Sequence, residues 1–191
     1  MSSPKVSVVI PIHNMKGGDA FLWRTINALC DQTFQDFEIV ITREGKMAEN
    51  TNAGIKRARG EFIKILYLDD YLAHPNALKL MVDAIGESDW LICGVDNNPE
   101  PHWTDDIETG NNRLGSPSAL LLRNTSPLLF DENLSWLLDC DYYKTLNERC
   151  GKPVILNGVH VSIGRGDHQM THILTDEEKW SEEDYLINKY A

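Results

Sequence analysis

The sequence is short of three things, and each shortage narrows what the chain can be. It has four cysteines in 191 residues, and no two form a C-x-x-C pair. Cys30, Cys93, Cys140 and Cys150 are scattered, a spacing that argues against a zinc ribbon or a redox dithiol. No apolar run approaches the roughly 20 residues needed to cross a bilayer as a helix. Basic charge is also scarce, with 18 Lys and Arg against 29 Asp and Glu and a formal net charge of −11. Counterion release on nucleic acid needs a cationic surface, so no nucleic-acid partner is expected. Lys56, Arg57 and Arg59 form the densest basic cluster and read as one solvated helix face. No repeat or low-complexity tract is present. With no leader segment, the cysteines read as reduced thiols, mostly core packing, and a cytoplasmic location is expected.

What is present is ordinary for a globular protein: 42% apolar and 25% charged residues. A chain of this length buries roughly 70% of its unfolded surface and needs no staples. Residues 6–10, VSVVI, read as a strand buried on both faces. After Gly17-Gly18, Asp19 is placed to cap a helix carrying Leu22, Ile26 and Leu29 on one face. Strands are expected at 37–42, 61–68 and 89–95. Helices are expected at 47–59, stopped by a left-handed Gly60, and after Pro75, closed by Gly86. This alternation predicts a largely parallel sheet covered on both faces. Residues 96–116 read as a long surface loop. A strand at 117–123, a helix from Trp136 to Arg149, short strands near 153–156 and 159–163, and a helix capped by Thr175 complete the chain.

Ligands of an open parallel sheet bind beyond the carboxyl ends of its strands. Three such ends carry polar groups: Pro11-Ile12-His13-Asn14, Arg43-Glu44 and Asp69-Asp70. Two adjacent carboxylates repel each other, and a divalent cation, Mg²⁺ or Mn²⁺ shared with substrate phosphates, relieves the repulsion. The alternative is that Asp70 caps a turn before the Pro75 helix.

The stretches VSVVIPIHN, QTFQDFEIVI and NAGIKRARGEFIKILYLDDYLAHPNAL, followed by GSPSALLLR and FDENLSWLLDCDYYKTL, resemble family 2 glycosyltransferases with the GT-A fold, in order over residues 5–172. The resemblance implies an α/β, Rossmann-like domain with a mostly parallel central sheet flanked by helices. It implies one domain over residues 1–172, with a nucleotide-sugar half at 1–95 and an acceptor half at 96–172. Residues 173–191 are then a helical tail. It also implies a metal-dependent, inverting transfer of a sugar from a UDP-linked donor to an acceptor hydroxyl, hexosyltransferase-like in kind.

Residue by residue, Pro11, Ile12, His13 and Asn14 match the segment that contacts base and ribose. Asn52 belongs to the N-x-G of the second helix, and Asp69 and Asp70 match the acidic metal motif. Asp139 matches the catalytic base, and His168 resembles a late histidine completing the metal site, with His172 in reserve beside His160. The chain departs from the family's pattern in several places. Asp69-Asp70-Tyr71 replaces D-x-D, and Arg43-Glu44-Gly45-Lys46 replaces Asp-Asp-Gly-Ser. Thr51 stands for an arginine, and Leu138 for the Glu of E-D. Glu44 is then the candidate base contact and Lys46 a phosphate contact. Trp103 and Trp136 are candidates to stack on sugar, Arg113 to clamp a phosphate, and Asp141 is read as structural. Two alternatives stand beside the enzyme: a binding module without turnover, and a structural partner in a glycan-assembly complex docked through the tail. A homo-oligomer is compatible with the sequence.

Overall fold

The computed structural model describes residues 3–167 and 169–191. Seven strands form one curled sheet: β1 (Val6–Pro11), β2 (Phe37–Thr42), β3 (Phe62–Ile65), β4 (Tyr71–Leu72), β5 (Trp90–Val95), β6 (Leu120–Arg123) and β7 (Val154–Ser162). Their order across the sheet is β2-β1-β3-β6-β5-β7-β4. The helices are α1 (Gly18–Cys30), α2 (Met47–Arg57), α3 (Ala77–Ile85), α4 (Leu138–Cys150), the short α5 (Met170–Ile173) and α6 (Asp176–Tyr190).

The expected parallel character holds for strand direction. β1 is parallel to both β2 and β3, and β5 is parallel to β7. β6 runs against β3 and β5, and β4 against β7. β6 reverses because the chain returns from β5 through residues 96–119 with no helical crossover, and adjacent strands joined without one pair antiparallel. The two short strands expected at 153–156 and 159–163 are one strand. A bulge at Asn157-Gly158 interrupts the period-two pattern, as the jump from Cys93↔Leu156 to Gly94↔Val159 shows.

β-branched and leucine-rich runs in β1, β3, β5 and β6 are buried on both faces, and α3 and α4 add Leu78, Met81, Tyr142 and Tyr143 to the same core. Trp90 stacks on Tyr143 and donates its indole N–H to the Gly151 carbonyl at 2.8 Å. Gly60 does not occupy the left-handed region. It is required for close approach, since a Cβ there would lie 2.5 Å from the Ser7 backbone nitrogen. Asp19 lies in the first turn of α1, and Gly17 is the capping residue. Only Cys93 and Cys140 pack in the core, and Cys30 and Cys150 are exposed.

Residues 96–119 are more ordered than a surface loop. Ile107 and Leu114 are fully buried, and two single turns of 3₁₀ helix lie at Ile107–Thr109 and Pro117–Ala119. α6 buries Leu186 in the common core, so it packs as part of the body of the protein. Among the described residues no helix is long and apolar enough to cross a membrane.

Candidate active site

The carboxyl ends of β1 and β2 are stitched by a residue the sequence did not mark. Asn50, buried in the first turn of α2, donates its amide to the Ile12 carbonyl at 2.8 Å and accepts the Glu44 N–H at 2.9 Å. Thr42 donates its hydroxyl to the Asn50 carbonyl at 2.9 Å. Pro11 is the buried last residue of β1, while Ile12, His13 and Asn14 open into a cavity of about 330 Å³. Gly17, Gly18 and Arg43 help to line it, and Arg43 hydrogen-bonds Asn14.

Glu44 does not share that cavity. It lines a second one of about 450 Å³ with Gly45, Glu49, Lys56, Arg57 and Glu132, and its carboxylate pairs with Arg57. Lys46 is exposed at the start of α2, its N–H capped by Glu49 at 2.7 Å. Asn52 is buried, and its amide is committed at both ends. It donates to the Phe130 carbonyl and to Glu132, each at 2.9 Å, and accepts the Phe130 N–H at 2.8 Å. In this position it latches residues 130–132 onto α2, with both of its amide hydrogens committed.

The two adjacent acids differ sharply. Asp69 is half-buried, whereas Asp70 is 2% exposed and accepts the Gly164 N–H at 2.7 Å. Both lie in the turn after β3, closed by the Asp70 N–H donating to the Tyr67 carbonyl at 2.9 Å, and of the two only Asp70 is turned inward. Burial, then the charge of Asp69, pushes the Asp70 carboxyl up to about 7, against hydrogen bonds from Ser118 and Gly164 and the charge of Lys64. Lys64 is fully buried on β3 and donates to the Ser118 carbonyl, and to that of Leu120 at 3.3 Å. Burial lowers its ammonium to about 8, with the charges of Cys93 and Asp70 opposing. α1 fixes the acidic turn from outside: Thr25 donates to the Asp70 carbonyl at 2.8 Å, and Arg24 donates to that of Asp69 while lying over the Tyr71 ring. Neither residue was singled out in the sequence.

Asp139 stands in the first turn of α4. One of its oxygens accepts the Cys140 N–H and the other the Asn112 amide, both at 2.8 Å. Asn112 is itself locked by an Asx-type turn, accepting the Leu114 and Gly115 N–H groups at 2.8 and 3.0 Å. Burial raises the Asp139 carboxyl above its ordinary range, and these hydrogen bonds limit the rise. Burial pushes the Tyr67 phenol up, with the charges of Asp139 and Asp70 adding to the rise, and its hydroxyl has no well-formed hydrogen bond among the described residues.

The remaining candidates separate from this group. His160 is buried and meets His74 at 3.0 Å, and its backbone carbonyl accepts the Ala73 N–H; burial lowers its pKa. His172 is exposed on α5, and His168 lies outside the described residues. Trp103 packs edge-on against Trp90, and Trp136 lies beneath Lys179 of α6. Arg113 is exposed. Asp141 is buried and accepts from Lys189 and Tyr190, each at 2.7 Å, a structural role. Among the described residues no group of three or more His, Cys, Asp or Glu side chains is arranged to hold a metal. Asp69 and Asp70 nevertheless supply the hard oxygen donors that Mg²⁺ or Mn²⁺ takes, with Asp69 the more accessible of the two.

A sheet ordered in this way has counterparts among solved structures. S. aureus TarS in complex with UDP-GlcNAc superposes with a TM-score of 0.67 at 19% identity, covering 96% of this chain and 65% of that one. The fold is GT-A. A second TarS structure gives a TM-score of 0.71 at 17% identity, over 97% of this chain and 39% of the other. The mannosyltransferase PcManGT from Pyrobaculum calidifontis, in complex with GDP-Man and Mn²⁺, gives 0.66 at 12% identity, over 87% and 59%. The chain therefore spans less than two thirds of the length of these GT-A neighbours. No sequence-family model matches it, and no curated protein does.

Proposed function

We propose that this chain is a glycosyltransferase that moves a sugar from a nucleotide donor, UDP-linked, to an acceptor hydroxyl with inversion at the anomeric carbon. The observation that carries the reading is the acidic turn Asp69-Asp70 after β3, fixed from α1 by Thr25 and Arg24, together with the acid Asp139 held in the first turn of α4 by Cys140 and Asn112. The donor complexes of the GT-A neighbours support it: UDP-GlcNAc in one, and GDP-Man with Mn²⁺ in another.

In this reading residues 1–95 bind the donor, residues 96–172 bring the acceptor and the base, and 173–191 close the second half. The nucleoside occupies the cavity at Ile12, His13 and Asn14. Glu44 faces the neighbouring cavity instead and Lys46 is exposed at the start of α2, while Asn50 and Asn52 hold the surrounding backbone. Asp69 and Asp70 would hold a divalent ion, Mn²⁺ or Mg²⁺, with His168 as a further candidate ligand, and such an ion would supply neutralisation of the departing diphosphate. Asp139 takes the proton from the acceptor hydroxyl as that oxygen bonds to the anomeric carbon and the bond from that carbon to the diphosphate oxygen breaks. A carboxyl raised by burial yet held ionisable by two hydrogen bonds suits a base at neutral pH. The acceptor class is a glycan or another hydroxyl compound.

A second reading, donor binding without turnover, is favoured by one feature: Asp70 is turned inward onto Gly164 and Ser118. Incubation with UDP-GlcNAc, UDP-glucose and GDP-mannose in Mn²⁺, reading nucleoside diphosphate release, separates the two. Metal-dependent release supports the enzyme. Donor binding with no release from any donor, with or without glycan acceptors, supports the second reading.

A further inference from the structure

The N-terminus of α4, which carries Asp139, is not capped by its own sequence. Leu137 holds the capping position and has no side chain able to accept a hydrogen bond. The first N–H groups of a helix lack intrahelical partners and need an outside acceptor. The capping residue Leu137 and the two residues that lead into the helix are held instead from α6. One oxygen of Glu182 accepts the Ser135 N–H at 2.8 Å, and the other accepts those of Trp136 and Leu137, both at 2.9 Å. A carboxylate at this end also complements the helix dipole.

The rest of α6 holds Glu182 in register. Leu186, one turn on, is fully buried. Lys189 bridges Asp131 at 2.8 Å and Asp141 at 2.7 Å, and Tyr190 donates to Asp141 at 2.7 Å. Tyr185 donates to Asp131 at 2.8 Å. These contacts join α6 to both the turn before α4 and the first turn of α4 itself. Trp180 and Ile187 lie on the opposite, exposed side of the helix.

We propose that Glu182 is a positioning residue for Asp139, so that α6 sets the aim of the base. The inference rests on the reading of Asp139 as the base. Asp139 lies two residues beyond Leu137, and its carboxylate is pinned between the Cys140 N–H and Asn112. The first anchor moves with the start of α4, whereas the second belongs to residues 112–115. Loosening the helix start therefore changes the distance between the two anchors and swings the carboxylate. A base displaced by about 1 Å loses on the order of 10²-fold in rate. The donor cavity is lined by residues that follow β1 and β2, by α1 and by Leu68, none of them in α4 or α6, so donor binding is expected to hold.

The test compares Glu182→Ala, Glu182→Gln and, as a control on the outward face, Ile187→Ala in the whole chain. Glu182→Ala is expected to lower kcat at least tenfold while the donor KM stays within about twofold. Glu182→Gln keeps an accepting oxygen and is expected to recover part of that loss. Ile187→Ala is expected to match the wild type. Unchanged kcat in Glu182→Ala, or a loss carried by donor KM, overturns the proposal. Amide hydrogen exchange over residues 135–140, run on the same folded proteins, reads the clamp without turnover. Faster exchange in Glu182→Ala supports the clamp, and unchanged exchange refutes it. A wild type with no activity but a working clamp refutes the base reading and with it any catalytic role for Glu182.

Discussion

Replacing Asn50 by alanine removes the stitch between the first two strand ends. The substitution leaves the Ile12 carbonyl and the Glu44 N–H without the partners they hold at 2.8 and 2.9 Å. A buried polar group left unsatisfied costs about 1–3 kcal/mol, and a group that regains water costs nearer the net worth of its bond, about 0.5–1.5 kcal/mol. Asn50 is buried, Ile12 is half-buried and Glu44 is exposed, so the first figure applies to the carbonyl and the second to the N–H. The sum is about 1.5–4.5 kcal/mol. For a domain of this size it lowers the melting temperature by roughly 3–18 °C. Urea denaturation at 25 °C measures the free energy, and Asn14→Ala, an exposed partner of Arg43, serves as a control expected within about 0.5 kcal/mol. Nucleotide affinity should fall in Asn50→Ala, because the Ile12-Asn14 segment loses its anchor. A loss below about 0.5 kcal/mol, with nucleotide affinity unchanged, would refute the reasoning that Asn50 holds this crevice together.

Two further outcomes follow from the acids. Thermal shift with UDP and Mn²⁺ should disappear in Asp69→Asn and shrink in Asp70→Asn, since a ligand that binds only the folded state stabilises it by mass action; a full shift in both variants would remove the metal from this turn. Burial works to raise the Asp131 carboxyl, but Lys189, Asn133 and Tyr185 hold it down at about 2. The folded state thus binds this proton less tightly than the unfolded chain, and its contribution of roughly 2 kcal/mol is present above about pH 4 and lost as pH falls through about 2. The urea-stability gap between wild type and Asp131→Asn should accordingly be open at pH 6 and closed near pH 2, and a gap independent of pH would contradict the assignment.

The fold was legible where local pattern and tertiary burial agree. The runs of β1, β2, β3 and β5 are dense in β-branched residues and bounded by Pro, Gly or Asp, so their positions could be read within a few residues. β4 has only two residues and no period to detect. β7 carries a bulge that breaks its alternation, and the start of α4 is set by a carboxylate 46 positions downstream at Trp136. The site was legible in part for the same reason. Asp69, Asp70 and Asp139 stand out as acids at element ends, but which of an adjacent pair turns inward depends on the Gly164 and Ser118 partners. Asn50, Asn112 and Glu182 act through hydrogen bonds to distant backbone and side chains, which leave no periodic trace. Asn112 alone carried a local signal, because Asn-Arg-Leu-Gly is an Asx-turn sequence. Asn52 showed the converse, a motif residue whose amide hydrogens are committed to Phe130 and Glu132.

The central claim is that Asp139 accepts the acceptor's proton, and Asp139→Asn tests it most directly. The amide keeps the shape of the carboxylate but lacks its basicity. General base catalysis contributes about 10²–10⁴-fold, so transfer to a working acceptor should fall at least about a hundredfold. Donor affinity measured by calorimetry with Mn²⁺ should stay within about twofold, the pattern of an interaction made only in the transition state. Transfer at the wild-type rate in Asp139→Asn would contradict the account, as would a loss explained entirely by weaker donor binding.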